Sequence, residues 1–95
     1  MPMKTIIQIQ KENIPQLQFG KSDVLENPED QKKRMTDLYR SQTLGNLLQS
    51  KVKLTFETSD QMVYQVETTV WAVGTDFISL KGGIFILIRA IIAVD

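Results

Sequence analysis

The chain of 95 residues contains no cysteine and no histidine. These absences exclude disulfides, thiol nucleophiles, Ser-His triads and the metal sites that are built from His or Cys ligands. The acidic residues of the second half, among them Glu57, Asp60, Glu67 and Asp76, show no spacing typical of a catalytic carboxylate pair. We therefore expect a protein that is not an enzyme and that holds neither a metal nor another cofactor.

An excess of charge of one sign is also missing, since eleven Lys and Arg balance eleven Asp and Glu. Nucleic-acid binding loses its simplest support, because no field of one sign covers the molecule. The composition, 42% apolar and 23% charged, is that of a globular domain. A chain of this length can build one hydrophobic core, and we expect a single domain.

The sequence has no apolar run long enough for a membrane helix, which needs about 20 residues. Its most apolar stretch, residues 84–94, is broken by Arg89 and is rich in β-branched isoleucine, which favours strands. The amino-terminal residues lack the unbroken apolar core of a signal peptide. These features predict a cytoplasmic protein without a membrane segment.

A helix is predicted over about residues 28–44. Asn27 is placed to cap it, Pro28 suits its first position, and Glu29 and Asp30 suit its positive end. Gly45-Asn46 is expected to end or interrupt the helix.

The periodicity of this helix predicts a buried face with Met35, Leu38 and Tyr39, followed by Gln42. The basic run Lys32–Arg34 lies among acidic residues and is predicted to form a solvated, internally paired face, with nucleic-acid contact as the alternative.

Alternating apolar and polar residues after position 50 predict five antiparallel strands, joined by turns that contain Gly, Ser, Thr or Asp. The strands are expected over about 51–57, 62–74, 77–81, 84–88 and 91–94, with Arg89 and Ala90 at the bend between the last two. The predicted fold is mainly β: an amino-terminal α-helix followed by a strongly bent, five-stranded antiparallel small barrel over about 51–94. Residues 1–26 are expected to form an arm or an extra strand, beside one domain over 27–95.

Three segments resemble the Sm-like family, which includes the Hfq-like RNA chaperones. "LGNLLQSKVKLTF" is similar to the passage from the family's helix into its first strand, "LKGG" to its third hairpin, and "IRAIIAV" to its second Sm motif, with Ala90 where glycine is usual. The resemblance covers roughly Thr43 to Val94 and implies an Sm-like barrel.

The resemblance also implies rings of six or seven subunits, in which strand four of one subunit pairs with strand five of the next. The candidate interface residues are Phe85, Leu87, Ile91 and Ile92. RNA is held in the family by the loops between strands two and three and between strands four and five. The corresponding candidates for RNA contact here are Thr75, Asp76 and Arg89.

Each candidate also has a purely structural interpretation. Arg89 is expected either to contact a phosphate or base or to bond carbonyl groups at the strand junction, and Thr75 and Asp76 are residue types that turns favour for their own backbone bonding. Trp71 and Phe77 suit a stacking platform for bases, but also core or interface packing.

Two functions fit these patterns. The first is a ring-forming Sm-like protein that binds RNA through pore loops. The second is an oligomeric scaffold of the same fold that binds no nucleic acid and presents its amino-terminal arm and helix to a protein partner.

Overall fold

The computed structural model describes residues 5–95, so residues 1–4 of the predicted arm lie outside it. One α-helix, α1 (Pro28–Leu48), precedes most of the strands. Two short 3₁₀ helices cover Lys11–Gln16 and Ile88–Ala90. The strands are β1 (Ile6–Gln8), β2 (Val52–Glu57), β3 (Val63–Thr68), β4 (Val70–Val73), β5 (Phe77–Leu80), β6 (Ile84–Leu87) and β7 (Ile91–Val94).

The strands form two sheets, in the orders β1-β3-β2-β7 and β4-β5-β6. All pairings are antiparallel except that of β1 with β3, in which Ile6 lies opposite Val63. The mainly β prediction is confirmed, with one helix. No closed barrel is found among residues 5–95, and the described strands number seven rather than five.

The long second strand predicted over 62–74 is divided at Thr69 into β3 and β4, which belong to different sheets. The carbonyl oxygen of Thr69 accepts a hydrogen bond from the main-chain N–H of Lys81 at 3.0 Å. This bond turns the chain at Thr69 toward the end of β5, so β4 leaves the partner that β3 has in β2. The chain passes from one sheet to the next through a single residue.

Helix α1 begins as predicted, because Asn27 accepts a hydrogen bond from the N–H of Glu29 at 2.8 Å and Pro28 follows it. The predicted end at Gly45 is wrong, since the helix continues to Leu48. It ends at Gln49, whose backbone is left-handed (φ 54°) and whose N–H bonds the carbonyl of Gly45. This helical position requires glycine because its neighbours leave no space for a side chain. A Cβ added at Gly45 would lie 2.5 Å from the carbonyl oxygen of Val70.

The buried face of α1 differs in part from the predicted one. Leu38 is fully buried and Met35 is packed against the core as predicted, but Tyr39 is exposed. Arg34, which was predicted on the solvated face, is buried.

One core joins both sheets, α1 and the amino-terminal segment. Ile14 of the first 3₁₀ helix is buried in it, so the predicted arm contributes to the folded interior. The other fully buried large side chains of this core are Leu38, Leu54, Phe56, Val66, Val70, Ile78, Leu80, Ile86 and Ile91.

The outer side of β4 is protected by the helix. The side-chain oxygen Oε1 of Gln42 accepts a hydrogen bond from the main-chain N–H of Val73 at 2.6 Å. A backbone donor at this edge of the three-stranded sheet is therefore already satisfied within the chain.

The contact between α1 and β4 predicts that Gly45→Ala destabilises the fold. Replacing glycine by alanine inside an exposed helix raises the free energy of unfolding by about 1 kcal/mol. Here the new methyl group meets backbone at Val70, and the overpacking cost of about 1–3 kcal/mol outweighs that gain. Urea unfolding measures the difference.

Gly20→Ala is the matched control, because an added Cβ at Gly20 meets nothing within 4 Å. The control is expected to change the free energy of unfolding by less than about 0.5 kcal/mol. A stabilised Gly45→Ala protein would contradict the close approach of helix and strand.

Candidate functional site

The turn between β4 and β5 carries two of the residues that the resemblance assigns to RNA contact. Thr75 and Asp76 are exposed in it, and the N–H of Gly74 closes it by donating to the carbonyl of Phe77 at 2.9 Å. The hairpin thus presents both side chains to solvent.

The structure brings the bend between β6 and β7 next to this turn. The main-chain N–H of Ile88 donates to the carbonyl of Asp76 at 2.9 Å. Arg89 follows Ile88 directly, so the three candidates lie in two adjacent main-chain segments. No ion pair joins Asp76 to Arg89 within the described chain.

Arg89 is partly engaged with the amino-terminal arm. Its Nε donates to the carbonyl of Gly20 at 2.7 Å, and its own carbonyl accepts from the N–H of Val24 at 2.9 Å. The expected bond to a carbonyl is therefore present, although its partner belongs to the arm. The two terminal nitrogens of the guanidinium have no carboxylate within 4.0 Å among residues 5–95.

An apolar recess of about 260 Å³ adjoins this cluster and is lined by Phe19, Phe77, Phe85 and Leu87. The rings of Phe77 and Phe85 meet edge to face, with centroids 5.2 Å apart, and both are about half exposed. Leu87 lies opposite Phe77 across β5 and β6, which connects the recess to the turn at Asp76. Trp71 is also half exposed, but no ring contact joins it to Phe77 in the described structure.

The four candidate interface residues differ in exposure. Phe85 is exposed and Leu87 and Ile92 are half-buried, while Ile91 has its whole side chain in the core. Among the described strands, β6 and β7 are each the last strand of a sheet, so each has one side that pairs with no other strand.

The outer side of β7 has free backbone groups. Lys53 and Asp95 exchange two main-chain hydrogen bonds of 2.9 Å, which fixes the alternation along the strand. Val94 precedes Asp95 and lies opposite Leu54, at the alternate position of the ladder. Its N–H and C=O therefore point away from β2. A groove of about 260 Å³ runs beside these groups, between β7 and the first half of α1.

Arg34 closes one end of that groove. Its side chain is 5% exposed, and its guanidinium donates to both carboxylate oxygens of Asp23, at 2.9 and 2.7 Å. It also donates to the carbonyl of Ile91 at 3.0 Å. The arm, the helix and β7 are therefore joined at one side chain.

These bonds alter the titration of Asp23. The hydrogen bonds from Arg34 hold the pKa of Asp23 below its ordinary value, while desolvation acts in the opposite direction and is outweighed. The carboxylate stays ionised at neutral pH, as its pairing with a buried guanidinium requires.

Other kinds of site are not seen in the described part of the chain. Residues 5–95 contain no cluster of three acidic side chains that would hold a metal ion. No helix in this range is long and apolar enough to cross a membrane.

No protein-family model, curated protein or solved structure matches the chain. The resemblance to the Sm-like family therefore rests on the three quoted segments.

Sequence reasoning did not identify Phe19 and Gly20 as part of this surface. Both lie in "QLQFGKSD", within residues 1–26, for which an arm or an extra strand is predicted. The only signal was one aromatic residue in an otherwise polar stretch. Its partner Phe56, at a centroid distance of 6.0 Å, is distant in the sequence.

The ion pair predicts that Asp23→Asn destabilises the protein by about 1–3 kcal/mol at pH 7, because the buried guanidinium loses its counter-charge. Since the folded-state pKa of Asp23 lies below its unfolded value, the stabilisation is complete above about pH 4 and is lost as the pH falls through the lowered pKa.

Urea unfolding of both proteins between neutral and acidic pH checks this. The stability difference should shrink as wild-type Asp23 becomes protonated. Asp76→Asn, an exposed change of the same kind, is expected to be nearly neutral. A difference between wild type and Asp23→Asn that does not shrink in acid would contradict the assignment.

Proposed function

We propose that the chain is an Sm-like protein that assembles into a ring through the outer sides of β6 and β7 and binds single-stranded RNA at the Thr75, Asp76 and Arg89 cluster. The observation that carries the assembly is the pair of unpaired strand sides, one bordered by exposed Phe85 and the other by the groove along α1. Unpaired edges with apolar side chains are pairing sites for another chain.

The strand order supports the Sm-like part of the proposal. If β3 and β4 are counted as one strand bent at Thr69, and β1, which pairs with β3 alone, is left aside, the order of the other strands is β7, β2, β3/β4, β5, β6. This places the fourth and fifth barrel strands of the family pattern at the two outer ends. Each end then offers a different side to a neighbouring subunit.

The turn cluster supports the RNA part. Two terminal nitrogens of Arg89 are free of carboxylates among the described residues. The half-exposed rings of Phe77 and Phe85 line the recess with Phe19, which precedes the Gly20 that Arg89 contacts. The cation suits a phosphate, and exposed rings suit the stacking of a base. The exposed carboxylate of Asp76 works against phosphate, which limits the affinity that we expect.

A second function, an oligomeric scaffold without RNA, is favoured by the last turn of α1. Leu47 and Leu48 are 74% and 71% exposed there, which is unusual for leucine at neighbouring positions. In this function the helix end holds a protein partner. Both functions share the same assembly.

We expect light scattering to give a mass several times the 10.8 kDa of one chain at micromolar concentration. Phe85→Lys should shift the protein toward the monomer, because it places a charge on the outer side of β6. Trp71→Lys, which changes an equally exposed aromatic residue on another strand, should leave the mass unchanged. A monomeric wild type would contradict the assembly, as would dissociation by the control.

For the RNA site, labelled oligo-A and oligo-U should bind at low salt with dissociation constants of about 10–100 µM. Arg89→Ala should weaken binding, and it should reduce by about one the slope of the logarithm of the binding constant against the logarithm of the salt concentration. Because Arg89 also holds Gly20, Asp76→Asn is the complementary change: it removes a repelling charge and should tighten binding, whereas Asp30→Asn on the helix should not. Absence of binding by the assembled protein would favour the scaffold function.

A further inference from the structure

A second recess, small and polar, lies at the other end of the β5–β6 hairpin from Thr75 and Asp76. Its volume is about 150 Å³. Three lysines reach it from three separate segments: Lys11 begins the first 3₁₀ helix, Lys51 precedes β2, and Lys81 is in the turn between β5 and β6. Three cations that are distant in the sequence thus line one open recess.

These three ammonium groups have no ion pair within residues 5–95. The ion pairs of the described chain join Lys33 and Arg40 to Asp37, and Arg34 to Asp23. None of them involves a lysine of the recess, although two carboxylates, those of Glu12 and Glu67, line the same space. The cations are gathered but not neutralised by direct contact.

Two of the lysines are brought to the same turn. Gly82 has a left-handed backbone (φ 96°), and a Cβ added to it would lie 3.6 Å from Nζ of Lys11. Lys11 therefore lies over the residue that follows Lys81. Like charges held close together repel unless an anion lies between them.

The inner wall adds a hydroxyl group. Thr68 and Thr69 are buried at the passage from β3 to β4 and line the recess. The hydroxyl of Thr69 already donates to the carbonyl of Gln49 at 3.4 Å, which leaves that of Thr68 for a ligand. Its volume corresponds to about five water molecules, which is room for a tetrahedral oxyanion and part of its hydration.

We infer that this recess binds a phosphate group. Three lysines and two glutamates give the lining a formal charge of +1, so a multiply charged anion gains more there than a singly charged one. Ammonium groups that approach from three directions suit a tetrahedral oxyanion better than a planar carboxylate, for which arginine has the matching geometry. The inference does not rest on the proposed RNA function, because the two sites lie at opposite ends of the hairpin.

The test is a titration of the full chain with inorganic phosphate at low ionic strength. The NMR shifts of the amide resonances of Lys81 and Gly82 report the binding. Saturable shifts with a dissociation constant of about 1–10 mM are expected. Lys81→Gln should weaken binding about two- to five-fold, and Glu67→Gln should strengthen it by a similar factor. Lys32→Gln, an exposed lysine on α1, should change it less than two-fold.

The phosphate group can belong to a phosphorylated ligand or to the free anion. Titrations with a nucleoside monophosphate and with the matching nucleoside distinguish these two sources. Binding of the monophosphate at least as tightly as inorganic phosphate assigns the site to phosphorylated ligands, whereas binding of inorganic phosphate alone assigns it to the free anion. Equal binding of the nucleoside would overturn the inference. So would equal losses in Lys81→Gln and Lys32→Gln, or an absence of shifts at Lys81 and Gly82. Loss of RNA binding in Arg89→Ala with phosphate binding retained would show that the two sites are independent.

Discussion

The buried guanidinium of Arg34 is the constraint on which the rest of the structure depends. An arginine in the interior requires acceptors, and here they come from Asp23 and the carbonyl of Ile91. Its Nε remains without an acceptor within residues 5–95, so the pair with Asp23 is the main compensation for its burial. By fixing Asp23 to α1, this contact restrains the path of the preceding residues, in which Phe19 packs against the buried ring of Phe56 and Gly20 meets Arg89. The aromatic recess and the carbonyl that engages Arg89 both depend on that path.

Features with a local cause could be predicted from the sequence. Alternation located the strands, and Asn27-Pro28 gave the start of the helix, since capping involves neighbouring residues. Features with a distant cause could not. Glycine is typical of helix ends, yet Gly45 is needed inside the helix because the backbone of Val70 lies against it. Arg34 belongs to a basic run that is otherwise exposed, but it is buried because it pairs with Asp23 of the arm. The division of the second strand at Thr69 likewise depends on a hydrogen bond from Lys81.

The resemblance to the Sm-like family, rather than any local pattern, gave Thr75, Asp76 and Arg89 as candidates for one site. In the structure one main-chain hydrogen bond joins the segments of Asp76 and Arg89. The arm's contribution was not predictable, because nothing in "QLQFGKSD" indicates which surface it crosses. The lysine recess could not be predicted either, since Lys11, Lys51 and Lys81 belong to three unrelated local patterns.

The hydrogen bond from Val73 to Gln42 gives the three-stranded sheet a direction of growth. An amide side chain of the helix occupies a backbone donor on the β4 side, whereas β6 is contacted by the first 3₁₀ helix without any such hydrogen bond in the described structure. In the proposed assembly a strand from another molecule extends this sheet at β6, since α1 lies against β4. If the strand added there is β7, the contact joins two unlike surfaces, and repetition of such a contact produces closed rings or open helical filaments rather than two-fold dimers.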